Sequence, residues 1–597
     1  MQAHLARVSI LLGLLCPLMS GAVCVVELNP QAGDMTPVVR RALEATDDPD
    51  VRLVLARGRY HFFPDHAHEA YGRITNHDNG PKRIAFPFEG MRSVEVEGNG
   101  AELVFHGRML PFLFENCLRV SVRDFSIDWD VPFDFEGEVV AVDETAGWRD
   151  VRPCEGFSWC IGKGRFVFPD IDGFSYGQVG STLAFDPETG EVAHGAWDFT
   201  SKPSLVEERP NGILRFHEKL KHWPRVGEIL NSKGSVNRYA PAVYGKSSAN
   251  LRFENIVVHH ALGMGFLMER CDTVAIKGGG VFPRADSGRM VSTLADGTHF
   301  ANCKGDVLVE GMRFKGMLDD STNVHGTYVV VDGIPGEKTV RVELKHDQQL
   351  GFEFAGIGDE VWFIHQPDPS RAEVDAVAGV SVVDDRFIEL TFKNPLPENL
   401  GKGDVLENKT WNPTFTLRGC RFERHRARNI VLKTPLPIMI ENCDFASHMS
   451  AVFFRGETYY WYESGAVQDV LIRNNRFRDC ASSGMEHAVL RITPRLGKTF
   501  DETIPYDRNI RFIDNVIETF DNRIVWADRV DGLVVKGNTI KQTHTFKPMR
   551  EGAYLFDFTN CRHVQVVGNT YVGTHGKAVA ADDATRPTLV IEDNKGF

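Results

Sequence analysis

The sequence predicts an all-β fold built around a parallel β-helix, into which two small antiparallel β-barrel domains are inserted. Short β-rich runs alternate with turns that carry Asn, Gly or Asp, at a spacing of roughly 20 to 25 residues, which is typical of β-solenoid coils. Most runs alternate β-branched or aromatic residues with polar ones and end at Asn or Gly, which tolerate the left-handed backbone of a sharp corner. Two long segments break this repeat and show the longer alternating strands of antiparallel sheets.

The first 22 residues have the features of an export signal. Arg7 precedes an apolar run from Val8 to Met19, and the small residues Ser, Gly and Ala at positions 20–22 suit cleavage. This apolar run is too short to span a bilayer, and no later stretch reaches about 18 apolar residues. We therefore expect a protein exported to the periplasm or the medium, without insertion into a membrane.

The segment 23–132 is expected to hold a capping helix and the first coils. Asp34 precedes Pro37, and residues 37–45 have helical apolar spacing, so a helix is predicted there. Such a helix would cover the open apolar end of the solenoid, which otherwise exposes unpaired strand edges.

Further coils are expected in the segments 245–326 and 411–597. In the second of these, β-rich runs end at Asn515, Asn538 and Asn569. Coils that stack in register place Asn over Asn, so we expect these side chains to share hydrogen bonds along the axis of the solenoid.

Two segments are predicted to be barrel-like insertions. Residues 133–244 are rich in Gly, Pro and Trp and contain longer alternating strands. Residues 327–410 have the pattern of an antiparallel meander and begin directly after Gly326. Both insertions start just after a predicted strand of the solenoid and return to one.

Composition and charge restrict the kinds of partner. The chain has 597 residues and a formal net charge of −14, from 67 basic and 81 acidic side chains. This balance argues against nucleic acid and anionic lipid as main partners, and against a polyanionic substrate unless a local cleft is basic.

The cysteines are expected to pack in the core. Five of the 11 cysteines recur at equivalent turns, which indicates buried ladders and not a disulfide scaffold; they are Cys117, Cys271, Cys303, Cys443 and Cys561. Cys154 and Cys160 form the only close pair, and a disulfide between them is left open. No Cys/His spacing is typical of a zinc site.

The most informative stretches are Ala-Asp-Gly-Thr-His at 295–299 and Leu-Asp-Asp-Ser-Thr-Asn-Val-His-Gly at 318–326. Asp296 and Asp319 are 23 residues apart, about one coil, so they are expected to stack as neighbours about 4.8 Å apart. Together with Asp320 they form a group of three carboxylates in which at least one pKa should be raised, as a general acid requires. His299 and His325 lie on the same two turns, and the second insertion is expected to form a wall beside them.

These acids allow more than one function. Polygalacturonases use a comparable layout, in which an Asp on one turn and an Asp pair on the next hydrolyse a glycosidic bond with inversion. A calcium-dependent polyuronate lyase could also gather acids on a β-helix, although the acidic balance of the chain does not favour a uronate substrate. A tailspike or an adhesin would be a β-helix that binds carbohydrate without turnover.

An aromatic run, Tyr-Tyr-Trp-Tyr at 459–462, precedes Glu463. Four consecutive residues of a loop cannot all point into the core, and an aromatic face packs well on the apolar face of a pyranose. We expect this run to be a sugar-binding platform.

Four segments together resemble glycoside hydrolase family 110, the bacterial exo-acting α-1,3-galactosidases that include enzymes removing the blood-group B galactose. They are the two acidic stretches above, His-Gly-Arg-Met-Leu-Pro at 106–111 and Trp-Tyr-Glu-Ser-Gly at 461–465. The resemblance runs from about residue 25 to the C-terminus and includes both insertions. It implies a right-handed β-helix, inversion of configuration, no metal or other cofactor, and a substrate with a terminal α-galactosyl group.

The resemblance also implies roles for individual residues. Asp296, Asp319 and Asp320 would be the catalytic carboxylates; by analogy with polygalacturonases, Asp319 would be the general acid and the other two would activate water. Substrate contacts are implied for His299, Asn323, His325, Trp461 and Glu463. The preference for fucose-branched or linear α-1,3-galactosides stays open, as does a homodimer.

Overall fold

The structure, a computed structural model, describes residues 23–597 except 47, 170–174, 177–178, 235–237, 484–486, 521–522, 550–551 and 575–576. It also gives the strand Ala6–Ser9 by its backbone, and residues 168–169 and 175–176 likewise. The remainder of the predicted export signal lies outside the described residues. In the described part of the chain, no helix combines the length and the apolar character needed to cross a membrane.

The main body is a parallel β-helix, as the repeat predicts. A coil passes from sheet 2 to sheet 1 and then to a short strand of sheet 3; one example is Thr298–Ala301, Lys304–Glu310 and Arg313–Phe314. Strands of successive coils pair in parallel within each sheet. The carboxyl and amino ends of equivalent strands therefore lie above one another along the axis.

The strands of sheet 1 are Ala6–Ser9, Cys24–Leu28, Asp50–Leu55, Ser93–Phe105, Val120–Trp129, Ala249–Val258, Asp272–Lys277, Lys304–Glu310, Pro413–Arg418, Ile438–Glu441, Val470–Arg473, Asp507–Ile513, Val530–Lys536, Arg562–Val567 and Val590–Glu592. Those of sheet 2 are Gly80–Glu89, Leu110–Glu115, Val243–Lys246, Phe266–Glu269, Thr298–Ala301, Thr322–Gly336, Ile430–Lys433, Val452–Phe454, Leu490–Ile492, Val525–Asp528, Phe556–Thr559 and Val579–Ala581. Sheet 3 contains Arg59–Phe62, Gly280–Val281, Arg313–Phe314, Arg421–Phe422, Asp444–Phe445, Arg476–Arg478, Val516–Thr519, Thr539–Gln542 and Thr570–Val572. A short antiparallel strand, His68–Gly72, flanks Gly80–Glu89.

Stacked side chains fill the interior of the coils. Phe314, Phe422, Phe445 and Phe477 form a ladder with ring centroids 5.0, 4.7 and 4.9 Å apart. The five recurring cysteines are buried and free, which confirms the expected packing role, and Cys154 and Cys160 are also free. The predicted capping helix is present as Thr36–Glu44, with Val39, Ala42 and Leu43 in the core that it shares with the coils. The 3-10 turns are Pro64–His66, Pro210–Gly212, Asp347–Gln349 and Arg586–Thr588.

The predicted asparagine ladder is present at one corner of the coils. The Nδ2 atoms of Asn475, Asn515, Asn538 and Asn569 each donate to the Oδ1 atom of the next asparagine, over 3.1, 3.1, 2.9 and 3.0 Å, and the last acceptor is Asn594. Steps of this ladder span 40, 23, 31 and 25 residues. The expected spacing of 20 to 25 residues is therefore wrong for several coils, because loops outside the strands differ in length.

The first insertion is an antiparallel sheet that leaves the solenoid after Val120–Trp129. Its strands are Asp134–Asp143, Trp148–Pro153, Gly180–Phe185, Phe199–Ser201, Leu205–Arg209, Ile213–His217 and Ile229–Lys233, with Cys160–Gly162, Arg165–Pro169 and Ser175–Tyr176 in a smaller sheet beside it. It has its own apolar core, in which Phe135, Phe166 and Phe216 pack together.

The second insertion is a closed barrel that shares one strand with the solenoid. The amino-terminal half of Thr322–Gly336 pairs in parallel within sheet 2, and its other half pairs with Thr339–Glu343 and Val405–Asn408 of the barrel. The circuit is completed by Glu360–Ile364, Glu373–Val382 and Phe387–Phe392. The shared strand therefore places this barrel next to the turn that carries Asp319 and Asp320.

Candidate active site

Two of the predicted acids occupy equivalent places on neighbouring coils. Asp296 lies two residues before the strand Thr298–Ala301, and Asp320 lies two residues before Thr322–Gly336. Thr298 pairs with Thr322, 24 residues later, and Gly297 N donates to Asp320 O over 2.9 Å. Asp296 therefore stacks on Asp320 and not on Asp319, which corrects the pairing expected from a 23-residue coil.

The glycine in the Ala-Asp-Gly-Thr-His stretch allows this close stacking. A Cβ atom at Gly297 would lie 2.7 Å from Ser321 O and about 3 Å from the ring of Phe314. A larger residue would push the two coils apart at the point where the acids meet.

The acids lie in a pocket of about 470 Å³. Of the predicted site residues, Asp296, His299, Asp319, Asp320, Asn323, Trp461 and Glu463 line it. Other residues of the lining are Asn76, Lys233, Arg238, Arg426, Arg428, Val431, Lys433, Met449, Phe453, Arg455, Glu457, Tyr460, His487, Arg491 and Arg495. The walls thus come from the coils, from the end of the first insertion and from the aromatic loop.

Asp319 is surrounded by cations. Arg238 Nη2 lies 2.5 Å from Asp319 Oδ2, and Arg426 Nη1 lies 3.5 Å from Asp319 Oδ1. Burial alone would raise the pKa of Asp319, but Arg238, Arg426, Arg428 and Lys233 hold it well below its ordinary value. These charges favour the ionised form of Asp319. The expectation that Asp319 is the general acid stays a prediction.

Asp296 and Asp320 have raised pKa values, in contrast to Asp319. Burial, followed by the repulsion of the Asp319 carboxylate, raises the pKa of Asp296 well above its ordinary value. Burial also raises the pKa of Asp320, although the Arg428 guanidinium, 2.8 Å from Asp320 Oδ2, opposes the shift. These two stacked carboxyl groups are the ones able to hold a proton at neutral pH.

The two predicted histidines are joined behind Asp296. His299 Nδ1 lies 2.7 Å from Asp296 Oδ2, and His299 Nε2 lies 2.7 Å from His325 Nε2. His325 is buried behind His299 and is not part of the pocket lining. The expected contact of His325 with substrate is therefore corrected: in this structure its ring reaches His299 and not the pocket.

Glu463 enters the site on a short strand that the sequence pattern did not predict. Glu463–Ser464 pairs antiparallel with Thr327 and Gly326, and a Cβ atom at Gly326 would lie 2.4 Å from Ser464 Oγ. The Glu463 carboxylate accepts a hydrogen bond from Lys433 Nζ and, over 3.4 Å, from Asn323 Nδ2. Burial would raise the pKa of Glu463, but the Lys433 ammonium beside it holds the pKa well below its usual value, so Glu463 is an anion in the pocket wall.

The aromatic run is partly a pocket wall. Its use as a sugar-binding platform stays a prediction. Tyr460 and Trp461 line the pocket, and Tyr459 and Tyr460 are exposed. The Trp461 ring lies 4.2 Å from the His346 ring, between centroids, and Trp461 O accepts a hydrogen bond from Gln349 Nε2 over 2.9 Å. Tyr462 packs instead against a small apolar cluster, so the run is divided between wall and core.

Sequence reasoning missed the cations that surround the acids. Arg428 lies two residues before the strand Ile430–Lys433, the same position that Asp320 has on the preceding coil. Aligning the coils on their strands would have placed Arg428 beside Asp320, in spite of the barrel inserted between them. No comparable signal marks Lys233 and Arg238, because they come from the end of the first insertion.

The His-Gly-Arg motif at 106–108 does not contribute to the pocket lining. His106 stacks on Phe63, with centroids 4.0 Å apart, and bonds to His61 over 2.9 Å. The Arg108 guanidinium lies 5.6 Å from the centre of the Tyr239 ring. Both side chains of the motif pack against aromatic rings.

Two groups among the described residues have the donor spacing of a metal site: His299, His325 and Glu463, and the three aspartates. Lys433 already neutralises Glu463, and the short bond between the histidines directs their nitrogen atoms at each other. Arg238 and Arg426 similarly contact Asp319, and Arg428 contacts Asp320. The donor sets are therefore satisfied by side chains and suit acid–base chemistry better than metal binding.

A parallel β-helix with a walled pocket, in which one carboxylate is ionised and two are able to hold a proton, defines a glycosidase of the β-helix class. Family models agree at both insertions: GLAA-B beta-barrel domain I matches residues 135–230, and GLAA-B beta-barrel domain II matches residues 339–406.

Curated relatives extend this similarity to almost the whole chain. Alpha-1,3-galactosidase A of Shewanella woodyi is 34% identical over 92% of this chain and 90% of its own. Alpha-1,3-galactosidase B of Parabacteroides distasonis is 30% identical over 94% of this chain and 93% of its own. The chain belongs to glycoside hydrolase family 110, the α-1,3-galactosidase family. A solved family 28 exopolygalacturonase of Yersinia enterocolitica covers 96% of this chain and 78% of its own, with a TM-score of 0.40 and 9% identity.

Proposed function

We propose that the protein is an exo-acting α-1,3-galactosidase that releases terminal galactose with inversion. The observation that carries the proposal is the walled pocket with Asp296, Asp319 and Asp320, in a chain 34% identical to a protein named alpha-1,3-galactosidase A. Walls from the first insertion and the aromatic loop favour a chain end as substrate, because they leave a pocket and not an open groove.

In the proposed reaction, the ionised Asp319 activates the attacking water. A carboxyl group of the Asp296–Asp320 pair gives its proton to the leaving glycosidic oxygen. Water adds to the anomeric carbon as the bond to that oxygen breaks. Glu463 and Asn323 are proposed to bind galactose hydroxyl groups, and Trp461 to pack against a sugar face.

The anomer of the first product tests inversion. Single oxygen atoms of the three aspartates lie within 4.8 Å of one another, closer than the about 6.5–9.5 Å between carboxyl groups that is usual for inverting enzymes. The expectation of inversion therefore rests on the family resemblance. Proton NMR of an early digest of Galα1-3Gal should show β-galactose first; α-galactose first would establish retention.

Aspartate variants test the catalytic assignment. Asp296→Asn, Asp319→Asn and Asp320→Asn should each reduce kcat by about 10²–10⁴-fold with the fold retained. Asp306→Asn, an exposed change on the same coil as Asp296, is the matched control and should keep normal activity. Normal rates in all three site variants would disprove the site and favour a non-catalytic carbohydrate-binding protein.

The polyuronate alternatives receive less support. Among the described residues, eight cationic and five carboxylate side chains line the pocket, so its charge alone suits a uronate. These alternatives receive less support because relatives that match more than 90% of this chain are named alpha-1,3-galactosidase. The test is to incubate the protein with polygalacturonate and to measure reducing ends and unsaturated product. A rate on polygalacturonate higher than the rate on an α-galactoside would reverse this conclusion.

Export, substrate range and assembly are further proposals. Residues 1–22 support an export signal, and the family supports both linear Galα1-3Gal and the fucose-branched blood-group B type as substrates. The ratio of kcat/KM on linear Galα1-3Gal to kcat/KM on the fucose-branched substrate shows which of the two the enzyme prefers. Light scattering of the purified protein tests the proposed homodimer.

A further inference from the structure

An ion pair joins the first insertion to the turn that carries Asp319. Asp198 lies just before the strand Phe199–Ser201 of the insertion, and its Oδ2 atom lies 2.6 Å from both Nε and Nη2 of Arg426. Ser181 Oγ donates to the other carboxylate oxygen, Asp198 Oδ1, over 2.5 Å. Each oxygen atom of Asp198 therefore has a partner, which fixes the orientation of its carboxylate.

Arg426 directs its remaining nitrogen atom at the pocket. Its Nη1 atom donates to Leu318 O over 3.1 Å and lies 3.5 Å from Asp319 Oδ1. The guanidinium is thus shared between two carboxylates, at 2.6 Å from Asp198 and 3.5 Å from Asp319. Asp198 does not belong to the pocket lining, so the nearer of the two carboxylates is the one outside the pocket.

The other guanidinium groups beside the acids are in direct contact with them. Arg238 Nη2 lies 2.5 Å from Asp319 Oδ2, and Arg428 Nη2 lies 2.8 Å from Asp320 Oδ2. Asp319 Oδ1 is the oxygen that faces Arg426. Because a carboxylate accepts hydrogen bonds on both oxygens, Arg426 would be able to form a second direct ion pair with Asp319 if Asp198 released it.

A second ion pair docks the first insertion on the same coil. Glu191 Oε2 lies 2.9 Å from Arg424 Nη1, and Glu191 Oε1 accepts a hydrogen bond from Arg424 N over 3.1 Å. Arg424 precedes Arg426 by two residues, yet neither Glu191 nor Arg424 lines the pocket. The insertion is therefore held on the coil by one pair that touches the surroundings of the acids and by one that does not.

We propose that Asp198 is a positioning residue, which holds the Arg426 guanidinium back from Asp319 and so prevents a second direct ion pair there. A carboxylate in direct contact with two guanidinium groups is strongly stabilised as an anion and exchanges a proton less readily. Asp319 must give or accept a proton whichever role it has in the reaction, so Asp198 keeps it reactive. The effect on rate rests on the proposed function, whereas the position of Arg426 does not.

Other charged groups surround this pair. Asp320 attracts Arg426, whereas Lys233 and Arg428 repel it. Asp319 has four cations and two acids around it, which are Arg238, Arg426, Arg428, Lys233, Asp296 and Asp320. Three buried histidines lie nearby, and burial lowers the pKa of each: His299, His425 and His448. All of these groups are retained when Asp198 is replaced, so a change in the titration of Asp319 reports on Asp198 and Arg426.

A crystal structure of Asp198→Ala tests the position of Arg426 without any turnover. With its nearer partner removed, the guanidinium should move onto Asp319, and the distance from Arg426 Nη1 to Asp319 Oδ1 should fall from 3.5 Å to about 2.8 Å. Asp198→Asn keeps an acceptor oxygen and should hold the guanidinium closer to its parent position. An unmoved guanidinium in Asp198→Ala would overturn the proposal even if the protein is an active galactosidase.

The pH–rate profile tests the consequence for Asp319. Arg426→Met should move the limb that Asp319 sets to higher pH, because it removes a cation. Asp198→Ala should move the same limb to lower pH by about one pH unit and reduce kcat by roughly tenfold, because it brings that cation closer. In the double variant, the change at Asp198 should have no further effect, since Asp198 acts through Arg426. A shift to higher pH in Asp198→Ala, or additive shifts in the double variant, would overturn the proposal.

Glu191→Ala is the matched control for docking of the insertion. It removes the neighbouring ion pair with Arg424 and leaves Asp198 and Arg426 in place. The unfolding temperature should fall by a similar amount in Glu191→Ala and Asp198→Ala, but Glu191→Ala should keep the parent pH–rate profile. Equal shifts of the profile in the two variants would overturn the proposal. Absence of galactosidase activity in the parent protein would disprove the proposed function, and the crystal structure of Asp198→Ala would still decide the position of Arg426.

Discussion

At the scale of single residues, three neighbouring aspartates are made chemically different by their partners. Asp319 lies against Arg238, Asp320 against Arg428, and Asp296 against His299. A guanidinium favours the ionised carboxyl group, whereas burial and neighbouring carboxylates favour the protonated one. One pocket therefore contains both a base and an acid, which hydrolysis of a glycoside requires.

Arg238→Met should move the acid limb of the pH–rate profile to higher pH. The ionised form of Asp319 is present above its pKa and is lost as pH falls through it, and removal of Arg238 raises that pKa. Because a neighbouring guanidinium lowers a carboxyl pKa by about 1–3, activity at low pH should fall by roughly tenfold or more.

The measurement is kcat/KM against pH. Arg225→Met, an exposed change in the same insertion, is the control and should leave the acid limb in place. An acid limb that stays fixed in Arg238→Met would mean that Asp319 does not set it.

At the scale of elements, ladders of identical side chains hold the coils together at their corners. Each buried amide of the asparagine ladder donates to the next one and to a backbone carbonyl, as Asn515 does to Ile472 O over 3.1 Å. A buried amide without such partners would be costly, so the ladder both stabilises the stack and fixes its register.

Asn515→Ala should lower the free energy of unfolding by about 1–3 kcal/mol. The change leaves Asn475 without its acceptor and Asn538 without its amide donor, and both are buried. Calorimetry should show a lower unfolding temperature. Asn399→Ala, at an exposed loop position, should have an effect within about 0.5 kcal/mol; equal effects in the two variants would contradict a structural role of the ladder.

At the scale of the whole molecule, the pocket is assembled from parts that are far apart in the chain. The first insertion supplies Lys233 and Arg238, the coils supply the acids, and the second insertion supplies His346 and Gln349 behind Trp461. The insertions therefore contribute to the walls of the pocket, while the coils place the acids.

Gln349→Ala should raise KM several-fold and leave kcat nearly unchanged. Gln349 is buried and holds the backbone of Trp461, so its loss loosens a wall that is used equally in the ground and transition states. Steady-state kinetics on Galα1-3Gal is the measurement. Gln348→Ala, whose amide is directed at Asp78, should keep the parent KM; a fall in kcat alone for Gln349→Ala would contradict a wall function.

The sequence determined the class of fold, both insertions and the group of acids, because strand alternation, corner asparagines and the Asp-Asp turn are local patterns. It also located the aromatic run, but not which of its rings face the pocket. Glu463 was recognised as a site residue by family resemblance and not by any local pattern.

Tertiary structure decided which residues are neighbours. Loop length varies between coils, so only the strand register shows that Asp296 stacks on Asp320 and that Arg428 follows across an inserted barrel. The charge states follow from those neighbours: Arg238 comes from the first insertion and contacts Asp319, and Arg428 comes from the coil beyond the barrel and contacts Asp320. Sequence determined which groups could do the chemistry, and three-dimensional packing decided which of them carries the proton, because a pKa depends on burial and on charges that lie close in space but not in the chain.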